Sequence, residues 1–432
     1  VISSYTHIAL DCTAHVFRRM GCSSSTAFSN SVPDKRCIRA NFATGFFDHF
    51  RLDAKLGQGA FGQVRLLESA CASQGSAVGQ EPCVKIIDVR DTHQPGRACP
   101  RLLRYASVEV ETWKSVGSHP NVTEFHGAYI QENLCFVVME KCNCSLYNHV
   151  RDMPDLNEHS FSKLAFQMVS ALKHLHASRV VHRDVKPDNF LVGGKAGDTV
   201  KLCDFGLAAF LPFHGKLTGL VGTAPFMCPE MIIDDWCDEK ADIWSLGVTV
   251  YAFFFGNFPY VSKDGTKEGM TKAIVKGRTP KFESCGQRKI SYSSSAIAFV
   301  TALLQRDAGE RPSAEEVLKL PYVAMPTRGV ALPSLKPMLE PMRKVGAIAI
   351  YNLSRRTDVD DLLRIMQLET LGILMPDMRK PKEVAKEESS ISAITESTVC
   401  SIDGLDSVSR LPSVQSSVQS SSDGSFQPRM SL

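Results

Sequence analysis

Apolar and polar positions divide this chain into stretches with different periods. From Phe50 to Leu67, apolar residues flank the glycine-rich run Gly57-Gln58-Gly59-Ala60-Phe61-Gly62-Gln63-Val64, which reads as two strands joined by a turn. Cys83-Val84-Lys85-Ile86 reads as a third strand, and the Ala-, Ser- and Gly-rich residues 68–82 before it as a flexible excursion. Leu134-Cys135-Phe136-Val137-Val138-Met139-Glu140 is an apolar run bounded by polar residues, which fits a buried strand. The period then lengthens. Leu164, Met168, Leu172 and Leu175 recur at helical spacing between Phe161 and His176, so this helix needs a core to face. His174 and His176 read as helix-end contacts rather than ligands. A second helical pattern runs from Thr357 to Leu371, with Thr357 and Asp360 as a capping pair and Gly372 as its stop. Beyond Pro381 the chain is serine-rich and poor in aromatics, which predicts disorder and phosphorylation.

Composition narrows the classes. Apolar residues make up 44% of 432 positions, ample for a core, and a net charge of +3 is too small to argue for nucleic acid. The 14 cysteines are scattered without zinc spacing, and Cys142 and Cys144 stand too close for a Cys-x-x-Cys pair. Free thiols in a reducing, cytoplasmic setting are expected. No apolar run approaches the roughly 18 residues of a membrane-spanning helix. A peripheral attachment is nevertheless written near the start. If translation begins at Met20, Met20-Gly21-Cys22-Ser23-Ser24-Ser25 fits the myristoylation pattern on Gly21, and Cys22 could add a palmitoyl chain. Two chains anchor far more firmly than one.

The chemistry concentrates in His182-Arg183-Asp184-Val185-Lys186-Pro187-Asp188-Asn189 and, further on, Asp204-Phe205-Gly206. Phosphoryl transfer needs an oriented hydroxyl, neutralised phosphate charge and metal ions on the phosphates. Asp184 can accept a hydroxyl proton, Lys186 can offset charge, and Asn189 and Asp204 are hard oxygen ligands suited to Mg²⁺.

These two motifs resemble the catalytic loop and metal-binding turn of protein kinases, over residues 48–325. The resemblance implies an α+β, bilobal protein kinase fold, with a small β-rich N-lobe and a larger helical C-lobe. It implies an enzyme that uses ATP and Mg²⁺ on Ser/Thr-bearing protein substrates. Gly57, Gln58, Gly59, Ala60, Phe61, Gly62 and Val64 would cover the phosphates, with Lys85 reaching them and Glu109, not Glu111, holding Lys85. Cys83 would lie above adenine, Met139 would be the gatekeeper, and Glu140 to Cys142 the hinge. Asn143-Cys144-Ser145-Leu146 lacks the acidic residue that often binds ribose.

The activation segment would run from Asp204 to Glu230, with Arg183 pairing its phosphate. Thr218 is the expected phosphosite for an upstream kinase, and Thr223 a further regulatory position. Asp242 should accept backbone hydrogen bonds from the catalytic loop, and Arg311 should pair with Glu230. Phe161 to Val323, and especially its Ser313 to Leu318 end, looks like the calcium- and calmodulin-dependent group, whereas His182 to Leu191 reads somewhat like casein kinases of the first type; the Cys-Pro-Glu ending favours the former. Acidic residues at Asp188, Asp234, Asp235, Asp238 and Glu239 would favour basic substrates. The alternative of another class, a membrane-tethered scaffold that binds nucleotide without transfer, has the complete catalytic set against it.

Residues 1–47 read as a leader, 326–380 as a helical extension and 381–432 as the tail. No calcium-binding loop occurs. Within the extension, Pro337 to Arg356 is basic and apolar, like a calmodulin target or a segment packed on the C-lobe, and Pro341 is expected to interrupt a helix there.

Overall fold

The computed structural model describes residues 42–354 apart from 60–61, 71–80, 92–93, 95, 263–265, 279, 285–289 and 325–331; over 346–354 it describes the backbone alone. Ala60, Phe61, the Met20–Ser25 motif, the helix expected over Thr357–Leu371 and the serine-rich tail lie outside the described residues. All described residues fall in one compact unit, residues 1–361.

The smaller lobe begins with a short helix, α1 (Phe46–His49), and strands β1 (Phe50–Gly59), β2 (Gly62–Ser69) and β3 (Pro82–Asp88). Helix α2 (Pro100–Val116) follows, then β4 (Phe125–Gln131) and β5 (Leu134–Glu140). The five strands form one antiparallel sheet in the order β1-β2-β3-β5-β4. β5 sits inside that order and is buried at every residue, which is why its sequence is continuously apolar rather than alternating. The β4–β5 turn holds Glu132 and Asn133 at φ of 51° and 63°, the left-handed pair that suits the twist of a two-residue hairpin. Phe46 is fully buried and stacks on Phe136 with ring centroids 4.0 Å apart. Phe42 and Phe46, both ahead of β1, are thus part of the lobe's core.

The larger lobe follows with β6 (Cys144–Ser145), α3 (Leu146–Asp152), α4 (Glu158–Ala177), β7 (Val180–Val181), β8 (Phe190–Gly193) and β9 (Thr199–Leu202). Next come β10 (Ala209–Phe210), β11 (Leu217–Thr218), α5 (Pro229–Ile233), β12 (Trp236–Cys237) and α6 (Lys240–Phe255). It closes with α7 (Lys267–Lys276), α8 (Ser294–Leu303), α9 (Ala314–Val317), α10 (Pro321–Ala324) and α11 (Lys336–Ser354). Asn157 caps α4 by accepting from the backbone of His159 and Ser160, while the Ser160 hydroxyl accepts from Asn157 N. The stripe Leu164, Met168, Leu172 and Leu175 is buried, as its spacing requires. α6 is buried on every side from Ala241 to Phe255, the expected environment of a helix that is apolar all round. Gly256, left-handed at φ 68°, ends it.

One expectation is overturned. Pro341 does not break the extension: α11 runs through it. A proline removes one hydrogen-bond donor and strains the preceding turn. Here Leu335, Met338 and Leu339 are buried against the larger lobe, and their burial offsets that cost. α11 packs on α6 and α3, Leu335 N donates to Leu156 O at 3.0 Å, and the Tyr147 hydroxyl donates to Leu339 O at 3.4 Å.

Glu230 and Arg311 meet as expected, at 2.7 Å and 3.1 Å in a two-pronged pair, with Arg311 wholly buried and also donating to Gln305 O and Lys240 O. Removing one partner strands a buried charge. Arg311→Ala should therefore lose about 3–5 kcal/mol of stability, read as a lower urea midpoint. An unchanged midpoint would show that the pair contributes nothing.

Candidate active site

Between the lobes the sheet supplies a backbone wall. Gly62 sits at φ 152°, and a Cβ there would lie 1.7 Å from Ile86 O, so only glycine lets β2 approach β3 at this point. Lys85 on β3 extends its amine to Glu109 Oε1 and to Asp204 Oδ1, each at 2.7 Å. Glu109 is buried on α2, and Glu111 is exposed. Burial alone would lower the pKa of Lys85, but the Asp204 and Glu109 carboxylates outweigh it and raise it. Burial alone would likewise raise Asp204, and Lys85 outweighs that, holding the carboxyl down at about 2.

Asp204 has a left-handed backbone at φ 65°, unusual for a residue other than glycine. The following Phe205 explains how the turn is held. Its buried ring stacks on Trp113 of α2 at 5.0 Å and meets His182 edge-on at 5.5 Å. Trp113 in turn donates from Nε1 to Thr123 O at 2.9 Å. Phe205 therefore ties the helix carrying Glu109 to the loop carrying Asp184.

That loop hangs on α6. The fully buried Asp242 carboxylate accepts from His182 N and Arg183 N, both at 2.8 Å, and from His176 Nε2 at 2.9 Å. Burial by itself would raise its pKa, and these donors, His176 foremost, hold it below the ordinary carboxyl range. Arg183 is left-handed at φ 63°, and Asp184 follows. Asp184 Oδ1 accepts from the Thr223 hydroxyl at 2.7 Å, and Oδ2 from Lys186 Nζ at 2.6 Å and Asn189 Nδ2 at 3.1 Å. Lys186 also donates to Thr223 Oγ1 at 3.0 Å, and Asn189 Nδ2 to Asp184 O at 2.7 Å. Gly222 at φ 102° brings the strand of chain before Thr223 so close that a Cβ would sit 2.5 Å from Arg183 O.

On the other wall, Met139 is buried at the end of β5. Glu140 N donates to Glu124 O at 3.0 Å, and the Glu140 carboxylate accepts from Glu124 N and pairs with Lys201, both at 2.8 Å. The Cys83 thiol donates to Glu140 O at 3.5 Å. Among the described residues the backbone N–H and C=O of Cys142 carry no hydrogen bond, so this residue presents a donor and an acceptor. Burial, reinforced by Glu140, pushes the Cys83 and Cys142 thiols up to about 12, and burial raises Cys203 as well.

The structure brings Lys85, Glu109 and Asp204 together, and Asp184, Lys186 and Asn189 with Thr223. Thr223, read from the sequence as a further regulatory position, is buried inside the second cluster. Thr218 is exposed on β11, its backbone facing Trp236 of β12. Arg183 donates Nε to Leu207 O at 2.7 Å. Sequence reasoning did not find the Lys85–Asp204 pair, the Trp113–Phe205–His182 stack or the Lys201–Glu140 pair. Those partners lie far apart in the chain and no local pattern marks them; a Trp on the same helix as Glu109 was the one available hint.

A β-rich lobe and a helical lobe with these two clusters between them define the bilobal kinase fold. A match to the protein kinase domain covers residues 50–323, and the chain belongs to that family. It is 30% identical over 285 residues to CDPK-related kinase 1 of Arabidopsis thaliana, covering 65% of this chain and 47% of that protein. It is 31% identical over 280 residues to an Aurora kinase of Eremothecium gossypii, covering 63% of this chain and 69% of that protein. Calcium-dependent protein kinase 24 of Oryza sativa subsp. japonica is 31% identical over 278 residues, 64% of this chain and 51% of that protein. The chain spans about half the length of the CDPK-related and calcium-dependent kinases it matches. Identity is the same toward Aurora and calcium-dependent kinases, so it does not single out one subgroup.

The Lys85–Asp204 pair has a measurable acid signature. A carboxyl held at about 2 stabilises the fold fully above its ordinary value, roughly 3.9, and loses that contribution as pH falls toward the folded value. Without nucleotide or metal, the stability gap between the wild type and Asp204→Asn should be constant above about pH 5 and shrink from there to about pH 2. A gap that stays constant would show that Lys85 does not hold Asp204.

Proposed function

We propose that this chain transfers the γ-phosphoryl group of ATP to Ser and Thr hydroxyls of protein substrates. The observation that carries this reading is the cluster around Asp184. Its carboxylate is oriented by Lys186, Asn189 and Thr223 at 2.6–3.1 Å. Asp184 accepts the proton of the acceptor hydroxyl as its oxygen attacks the γ-phosphorus in line, and the bond from that phosphorus to the β,γ-bridging oxygen breaks to release ADP. Lys186, already beside that carboxylate, offsets negative charge on the moving phosphoryl. Lys85, held by Glu109, binds the α- and β-phosphates. The glycines Gly57, Gly59 and Gly62 let the backbone come close to the phosphates, and the free backbone groups of Cys142 take adenine. Ordering the hydroxyl and phosphate in one geometry removes much of the entropic barrier.

The family's usual metal is Mg²⁺, and the donor set suits it. Asn189 uses only Nδ2 within the loop, and Asp204 uses only Oδ1, so Asn189 Oδ1 and Asp204 Oδ2 carry no hydrogen bond among the described residues. Two hard oxygens are what Mg²⁺ takes from protein when phosphates and water complete its shell. When bound, the metal neutralises charge on the β- and γ-phosphates.

We further propose that the C-terminal extension regulates transfer. α11 rests against α3, which follows the hinge with only the short β6 between them, and this contact offers a route from α11 to the adenine wall. Its apolar residues Met338 and Leu339 face inward, so calmodulin would have to compete with the C-lobe for them. Peptide phosphorylation with Mg-ATP tests both readings. Asp184→Asn should lose about 10²–10⁴-fold in kcat, and a chain ending at Met325 should differ in rate from the full chain. Transfer no faster than this blank would sink the kinase reading; equal rates with and without the extension, with or without Ca²⁺-calmodulin, would sink the regulatory one. The leader's Met20-Gly21-Cys22 motif is proposed as a peripheral membrane anchor. Intact mass from native cells should then show an acyl increment on Gly21, and an unmodified residue there ends that proposal.

A further inference from the structure

The activation segment from Asp204 to Glu230 is fixed at its ends by pairs already described: Lys85 holds Asp204 and Arg311 holds Glu230. Between these ends the backbone makes its own ties. β10 pairs with β7, Ala209 against Val181 and Phe210 against Val180. β11 pairs with β12, Gly219 N donates to Asp235 O at 3.3 Å, and the Lys216 amine lies 4.0 Å over the Trp236 ring. Phe213, on the turn joining β10 to β11, is completely exposed. Isolated from the lobe, such a turn would be the loosest part of the segment.

Arg179 reaches that turn. Its guanidinium donates from Nη2 to Pro212 O at 2.7 Å and Leu211 O at 3.2 Å, and its Cζ lies 5.6 Å from the centre of the Phe213 ring. Its own carbonyl accepts from Leu211 N at 2.7 Å. A left-handed backbone at φ 55° places this residue at the exit of α4, just ahead of β7. One side chain thus binds two carbonyls and an aromatic face, and hydrogen bonds from a charged donor are stronger than neutral ones. Meanwhile Arg183, the cation that the family resemblance assigns to a phosphate on the segment, donates to Leu207 O and makes no ion pair with a carboxylate among the described residues. Thr218 is exposed while its backbone is already paired. The path of the segment as far as Thr223 is therefore held by contacts of the protein itself: the β10–β7 and β11–β12 pairings, the Arg179 hydrogen bonds and the Thr223 hydroxyl on Asp184.

We propose that Arg179 is a positioning residue that latches the activation segment in its substrate-accepting path, so that transfer does not require a phosphate on the segment. The proposal rests on the kinase reading above. Arg179 touches neither ATP nor the acceptor hydroxyl; it acts through the backbone of Leu211 and Pro212.

The test uses the full chain after treatment with a broad-specificity protein phosphatase. The dephosphorylated wild type should keep its rate to within about twofold, and Arg179→Ala should raise the KM for peptide at least about fivefold while leaving the KM for ATP unchanged. Arg179→Lys, which can still donate to one carbonyl, should recover part of the loss. Hydrogen exchange supplies a readout that needs no activity: in Arg179→Ala the amides of residues 207–218 should exchange at least about tenfold faster, with those of α6 unaffected. Loss of wild-type transfer on phosphatase treatment overturns the proposal, because the segment then needs its phosphate. An unchanged peptide KM in Arg179→Ala, or unchanged exchange, also overturns it. Wild-type transfer no faster than Asp184→Asn brings down the kinase reading instead, and exchange alone then decides whether Arg179 is a latch.

Discussion

A single buried carboxylate, Asp242, is the constraint on which the rest of the site depends. A charge removed from water persists only when donors surround it. Here two of those donors are consecutive backbone N–H groups of the loop that carries Asp184 and the third is an imidazole at the end of α4. The arrangement works in both directions. The loop supplies what the charge needs, and the charge fixes a loop that carries a left-handed Arg183 immediately before Asp184. α6, buried on every side, is a stiff support for it. From that support the order extends outward: His182 meets Phe205, Phe205 stacks on Trp113, and Trp113 belongs to the helix that presents Glu109 to Lys85.

Most of this was legible where chemistry and period coincide along the chain. The stripe of α4 and the continuous run of β5 announced their burial, because a helix face and an internal strand leave different periods. Glu109, Asp242 and the Glu230–Arg311 pair were readable once the motifs around Asp184 and Asp204 set the frame. Interactions between distant residues of unremarkable type left no trace. Lys201 gives no sign in the sequence that it neutralises Glu140, and nothing near Phe46 says that its ring will stack on Phe136. Pro341 misled for a different reason. Local propensity said break, and the burial of Met338 and Leu339 decided otherwise.

Thr223 illustrates a middle case. Its position was singled out, yet its role depends on a fold-back that no spacing encodes. The chain must pass Gly222 with a left-handed backbone and no side chain before the hydroxyl can reach Asp184. The same hydroxyl accepts from Lys186, so it orients the carboxylate and the amine together. A hydroxyl is suited to this task because it donates and accepts at once.

The sulfur of Cys83 and Cys142, on the wall beside Met139 and Glu140, has a consequence of its own. Thiols react as thiolates, and at pH 7 a group raised to about 12 is ionised only about once in 10⁵ molecules. Cys83 and Cys142 therefore fill space as small, polarisable apolar groups. Mild oxidants and alkylating agents that consume ordinary exposed thiols should pass these two by.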